Sequence, residues 1–431
     1  MLSVTTWCGD PDRKAGLCGS LVAAIIGGVL EWYDFAIYGA LAIDISRNFF
    51  PTNDPEAGLL ATFALFGVGF LFRPLGAIVI GWISDTYGRK PAMLVAVAAM
   101  AGGTVSIAFI PSYNAIGIAA PLLLLIARLV QGFSAGGEFG AAIAFLVEWS
   151  PSHRRALWAC SLSMTVALGS LLASSFTALL ITILPHDDMR SWGWRIPFLL
   201  GGILGPIAGW MRSRVQETPS YRKKRIPAVA PSMKRLEVNF KAGLRAFGLS
   251  IHWAVCYYVF LLYMPTFTRI HAHLSAAQAA WSNTISLIFI IAAVPVVAQL
   301  ADRYGRKPFL LASCGAVMLL SLPAFWFVLM QKSFLATVCV QLALGLIIAL
   351  FSGPGPAALA ELFDVRSRSL LASTSYALAA SLFGGFAPFI ADGLIKRTGS
   401  ALAPTLYAIV AASVSFFVVL YMPEAAKNKT G

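Results

Sequence analysis

The heptapeptide Asp85-Thr-Tyr-Gly-Arg-Lys-Pro91 recurs, one residue changed, as Asp302-Arg-Tyr-Gly-Arg-Lys-Pro308, 217 residues further along a chain of 431. Each copy closes one long apolar run and opens the next. A charged hairpin repeated between apolar runs restricts the fold to a duplicated membrane unit. Membrane proteins built from two similar halves characteristically move a solute across the bilayer.

Composition narrows the class. The chain is 58% hydrophobic and 12% charged, against about 25% charged in a soluble domain. Several apolar runs exceed the ~20 residues that cross the hydrocarbon layer as a helix. Alternating ten-residue segments, the mark of a membrane β-barrel, are missing from the sequence. The expected fold is therefore all-α and integral to the membrane, with twelve transmembrane helices in two pseudo-symmetric bundles of six. Residues 1–212 form the first bundle, 213–242 a central cytoplasmic loop, and 243–431 the second bundle.

The net charge of +13 does not indicate nucleic acid. With the N-terminus placed inside, 23 of the 32 Lys and Arg fall in inside segments and 7 in outside loops. Arg73 and Arg128 lie within spans. That imbalance puts both termini in the cytoplasm. The basic run Arg222-Lys-Lys-Arg225 sits in the central loop, where it sets topology or touches anionic lipid. The six cysteines are scattered without a CxxC pair and read as small core residues, not as metal ligands. No cleavable leader is evident: the first apolar run carries Glu31 and Asp34 and reads as a retained span. Trp192, Trp194 and Arg195 read as anchors at the outer interface.

The residues then carry a family. Gly81-x3-Asp85-x2-Gly88-Arg89-Lys90 resembles the signature loop of the major facilitator superfamily; the second copy has Ala298 in place of the first glycine. Arg128-x2-Gln131-Gly132 is similar to that superfamily's fourth-helix motif. Glu31-Trp-Tyr-Asp34-Phe, Gly69-Phe-Leu-Phe-Arg73-Pro-x-Gly76, Gln131-Gly-Phe-Ser-Ala-Gly-Gly-Glu138 and Trp192-Gly-Trp-Arg-Ile-Pro197 resemble the bacterial metabolite:proton symporter branch. The resemblance implies a multi-pass protein of the bacterial inner membrane. Members carry α-ketoglutarate, citrate, shikimate, or zwitterions such as proline and betaine. It also implies that Asp85, Gly88 and Arg89, with Asp302, Gly305 and Arg306, form a conformational latch between halves. Topology alone is the simpler role for these charges.

An ionised group at mid-bilayer costs about 2.5–3.5 kcal/mol and persists only with a partner or a wet cavity. The first half places five such groups in its spans: Glu31, Asp34, Arg73, Arg128 and Glu138. Three acids face two arginines, so one carboxyl lacks a counter-ion and suits proton carriage. Asp34 is the first candidate, then Glu31, then Glu138; the alternative is that all three pair structurally with the arginines. Arg128 and Arg73, with Gln131, Tyr38 and Tyr257, are the substrate-binding candidates, and internal salt bridges are the competing role for both arginines. Gly132, Gly136 and Gly140 share a row with Arg128 that lets a neighbouring helix approach. Tyr258, Tyr263 and the segment Gly353-Pro-Gly-Pro356 are further cavity candidates, and the prolines must bend their helix.

These readings predict uptake of a small organic acid with protons by alternating access, through a monomer needing no cofactor. A zwitterionic osmolyte is the alternative cargo, and a drug/proton antiporter the more distant one. An enzyme would need a nucleophile–base pair or a metal cluster, and none of the five histidines sits in such a setting.

Overall fold

The structure is a computed structural model that describes residues 27–51, 54–87, 89–136, 143, 146, 147, 150, 152–213, 233–363 and 368–422. The described residues form twelve helical rods and no strand. The first six are α1 (27–40 and Ala42–Phe49), α2 (Pro55–Leu71 and Arg73–Tyr87), α3 (Arg89–Phe109), α4 (Ala119–Ala135), α5 (Arg155–Ile183) and α6 (Ile196–Ser213). The second six begin with α7 (Met233–Tyr257, the π-helical turn Tyr258–Tyr263, then Met264–His271), α8 (Ala276–Tyr304) and α9 (Lys307–Gln331). They close with α10 (Phe334–Ser352 and Gly355–Glu361), α11 (Arg368–Ala379, the π-helical turn Ala380–Gly384, then Ala387–Thr398) and α12 (Ala403–Leu420). Eight of the described helices are long and apolar enough to cross a bilayer by length and composition. Large apolar side chains such as Ile78, Phe109 and Leu319 point outward, exposed, where lipid would cover them.

The central loop is helical in part, and one expectation changes. The described part of the expected central loop, 233–242, is helical and continues into α7; Arg222–Arg225 lies outside the described residues. Trp194 is not an interfacial anchor. It is fully buried, packed edge-on against Phe49 and Phe198, and Arg195 lies over its ring. Trp192 alone of the pair is exposed.

Glycine sets the closest helix contact. A Cβ on Gly132 would stand 1.7 Å from the Gly69 carbonyl oxygen, and one on Gly136 would stand 1.9 Å from that of Arg73. The glycine row of α4 thus lies backbone to backbone on α2, which holds Arg128 beside the helix that carries Arg73. Gly140 lies outside the described residues.

Between the halves, α5 packs along α8 and α2 along α11. Proline prepares both seams. Pro74 has no N–H to give the Phe70 carbonyl, so α2 breaks at Phe72. The freed carbonyl accepts instead from Ser381 Oγ of α11, at 2.8 Å. Pro356 likewise leaves the Ser352 carbonyl of α10 unclaimed, and Ser163 Oγ of α5 donates to it at 2.7 Å. Two helix breaks thus become two hydrogen bonds across the interface. A carbonyl left without that partner costs about 1–3 kcal/mol. Ser381→Ala and Ser163→Ala should each lower the thermal midpoint of purified protein, and the double variant by the sum. A midpoint unchanged in both would show that water or lipid replaces the serine.

Candidate transport site

Asp34 and Glu31 lie three residues apart on α1, yet they turn to different neighbours. Glu31 faces α2, with its Oε1 3.3 Å from Arg73 Nη2 in a buried ion pair. Asp34 faces α3 and α6. Its Oδ2 accepts from Thr104 Oγ1 at 2.5 Å, and a Cβ on Gly201 would stand 2.8 Å from its Oδ1. Asp34 has no cation within ion-pair distance among the described residues. Its connection to Arg128 is indirect. Gln131 Nε2 donates to Thr104 Oγ1 at 2.8 Å, and Arg128 Nη1 donates to Gln131 Oε1 at 2.8 Å.

Both arginines are buried in aromatic rings. Arg128 lies over Tyr38 at 4.2 Å, and Arg73 over Phe70 at 4.2 Å and Phe35 at 4.5 Å. Ring faces attract a desolvated cation by about 2 kcal/mol, which supports Arg128 in the bundle with no carboxylate paired to it among the described residues. Tyr38 spends its hydroxyl on the Thr62 carbonyl. Glu138 lies outside the described residues.

The central chamber lies beside this network. It lies at the seam between the halves. Five aromatic side chains line it: Trp32 from α1, Trp253, Tyr257 and Tyr258 from α7, and Tyr376 from α11. No charged side chain lines it among the described residues. Of the expected substrate contacts, Tyr257 is on the wall; Arg128, Arg73, Gln131 and Tyr38 stand behind it. Trp32 meets Tyr257 edge-on at 5.3 Å, and Trp253 lies 5.5 Å from Tyr376. Trp253 is held by a bond from its Nε1 to Ser352 Oγ. The Tyr258 hydroxyl is buried without a partner among the described residues. Glu31 and Arg73 are both near enough to act electrostatically on Tyr258 and Tyr376.

Contacts between halves close both sides of the chamber. The end bearing the hairpin Tyr304–Lys307 is clasped by charge. Gly305 takes the left-handed φ of 96° that the turn needs. Asp302 Oδ1 and Oδ2 accept from the free N–H groups of Ala156 and Leu157 at the start of α5, each at 2.9 Å. Arg306 reaches both Asp302 and Glu361, and Arg155 lies 3.5 Å from Glu361. Burial pulls the Arg306 guanidinium down to about 10, opposed by Asp302, so it stays charged at neutral pH. In the first copy, Gly88 lies outside the described residues. Asp85 and Arg89 lie in helices α2 and α3, and their side chains are outside the description.

The other end is joined by Lys396 to Asp54 at 2.8 Å and by Phe63 against Tyr263, whose hydroxyl donates to Asp392 within the second half at 3.2 Å. The Lys396 bond holds the Asp54 carboxyl below its usual range, so this link is lost only as pH falls through that lowered value.

Asp302→Asn should open the hairpin end. Cys160 is buried one turn inside α5, within electrostatic reach of Asp302. Losing a charged cap of about 1.5–3 kcal/mol shifts the population roughly tenfold or more. Maleimide labelling of Cys160, read by mass spectrometry, should accelerate accordingly. An unchanged rate would remove Asp302 from the closure.

Sequence reasoning missed Thr104, Trp253 and Tyr376. Trp32 lies inside the Glu31–Asp34 motif, where the flanking charges are the stronger signal. Tyr376 is the lone aromatic in a run of small residues, Ala372-Ser-Thr-Ser-Tyr-Ala377, a pattern that sets one large side chain against a close helix contact.

Helices of membrane length, in two sets that enclose a chamber and clasp each other around it, have the architecture of a membrane solute carrier. The chain belongs to the Major Facilitator Superfamily, whose profile matches residues 16–369 and 270–431. It is 33% identical over 425 residues to a putative proline/betaine transporter of Staphylococcus aureus, covering 96% of this chain and 90% of that one. It is 32% identical to the proline/betaine transporter of Escherichia coli K12, over 95% of this chain and 84% of the relative. A glycine betaine/proline/ectoine/pipecolic acid transporter of Dickeya dadantii matches at 32%, with the same coverage. In fold it resembles the D-xylose-proton symporter, with a TM-score of 0.77 at 18% identity over 96% of this chain and 99% of that structure. The relatives support the zwitterion alternative better than the organic acid.

Proposed function

We propose that the chain is a proton-coupled symporter of small zwitterions of the proline and betaine kind. The observation that carries this is the chamber wall. It is aromatic and uncharged among the described residues, and an ion pair stands just behind it. A di- or tricarboxylate would have to shed its water there with no lining cation, at a cost of several kcal/mol per charge. A zwitterion is neutral overall. Its quaternary or secondary ammonium suits the faces of Trp32, Trp253, Tyr257 and Tyr376. Its carboxylate suits the Tyr258 hydroxyl, which has no partner among the described residues, with Arg73 in the second rank.

Asp34 carries the proton in this reading. Glu31 is committed to Arg73, whereas Asp34 gains or loses a proton without breaking an ion pair. Thr104, Gln131 and Arg128 then sense its charge through hydrogen bonds. The hairpin end faces the cytoplasm, following the lysine and arginine distribution, and the Asp302–Arg306–Glu361–Arg155 cluster closes it.

The test is uptake by proteoliposomes under an imposed pH gradient, with labelled betaine, proline, citrate and α-ketoglutarate. Betaine and proline should accumulate while the two acids stay at the passive level. Accumulation of citrate without betaine would overturn the assignment.

A further inference from the structure

A second, narrow cavity lies in line with the chamber on the side away from the hairpin end. Tyr257 and Leu261 belong to both walls, so the partition is one side chain thick. That partition is fastened by a hydrogen bond between halves that joins the hydroxyls of Tyr257 on α7 and Ser170 on α5. Past it stand Ser174 and Asn283, on α5 and α8. Asn283 Nδ2 reaches Ser174 Oγ at 3.4 Å, and Ser174 is further occupied by Thr284 Oγ1 at 2.9 Å. The amide is thereby oriented, and its acceptor is spare. Asn283 is 7% exposed, and its Oδ1 has no partner among the described residues.

A buried acceptor without a donor costs about 1–3 kcal/mol. Its place beside a cargo chamber gives it a use. We infer that this cavity is a separate station for cargo, and that Asn283 Oδ1 receives an N–H of a primary or secondary ammonium zwitterion. The inference rests on the zwitterion reading above. The two sites differ in chemistry. The aromatic chamber holds a cation by ring faces and needs no N–H. The second station offers an acceptor and favours a cargo that can donate. Proline, with two ammonium N–H groups, gains from Asn283; betaine, with none, gains nothing. Passage between the stations requires the Tyr257–Ser170 bond to part.

The experiment measures KM for labelled proline and labelled betaine in proteoliposomes carrying the full chain, Asn283→Ala, or Asn283→Asp. Asn283→Ala should raise KM for proline about tenfold or more, the worth of a hydrogen bond to a charged group. Betaine KM should move less than threefold in the same vesicles, which also reports that the variant is folded. Asn283→Asp keeps an oxygen in place and should leave proline within threefold of the unaltered protein. Equal changes for both cargoes, joint loss of both in the two variants, or an unmoved proline KM would overturn the station, the last because water alone then satisfies the amide. An unaltered protein that accumulates neither cargo would overturn the zwitterion reading itself, and this station with it.

Discussion

Asp34→Asn protein is expected to exchange cargo across the membrane yet fail to concentrate it. Cargo and one proton moving inward together gain about 2.3 kcal/mol per 100 mV, roughly a fiftyfold concentration ratio. Asparagine fills the site of Asp34, and its amide keeps the contact with Thr104 Oγ1, but it cannot take up and release a proton. The ratio should fall to about one, while counterflow of labelled against unlabelled betaine stays within a few-fold of the unaltered rate. Glu31→Gln should behave differently. It strips the counter-ion from Arg73, and a buried charge left alone costs about 3–5 kcal/mol. That variant should lose thermal stability first. Concentrative uptake by Asp34→Asn at the unaltered level would pass the proton to Glu31 or to Glu138.

Why the sequence disclosed one side of this site and hid the other is a matter of cost. A carboxylate or guanidinium inside an apolar run is costly enough to be conspicuous, so Glu31, Asp34, Arg73 and Arg128 were readable at once. Their partners were not. Residues three apart on a helix diverge by about 60°, and that angle decides that Glu31 meets Arg73 while Asp34 meets Thr104. It is fixed only when α2, α3 and α6 pack around α1. The same limit applies to the interface serines. Pro74 and Pro356 announce broken helices, but nothing local says that Ser381 and Ser163 answer the freed carbonyls. Aromatic residues in membrane spans are mostly packing, so Trp253 and Tyr376 stood out only once a cavity lay between them. Two arginines serving as ligands suit an anionic cargo; with neither on the chamber wall, the aromatic lining is the stronger indicator.

Trp253 is where that lining should show its largest energetic effect. Its indole faces the chamber, packs on Tyr376 and is fixed by Ser352 on α10. Trp253→Leu removes both the ring face and the hydrogen bond. A desolvated cation–aromatic contact of about 2 kcal/mol corresponds to roughly thirtyfold in affinity, and the lost bond of about 1 kcal/mol adds roughly fivefold. Betaine binding should therefore weaken about a hundredfold. Trp253→Phe keeps a ring face and loses the bond, so its loss should stop near fivefold. The grading separates cation recognition from packing. If Trp253 served only to fill space, phenylalanine and leucine, similar in volume, would do similar harm. Equilibrium binding of labelled betaine to purified protein decides between them: equal losses for the two substitutions would leave the chamber with no preference for a cation, and the zwitterion would need another place to rest.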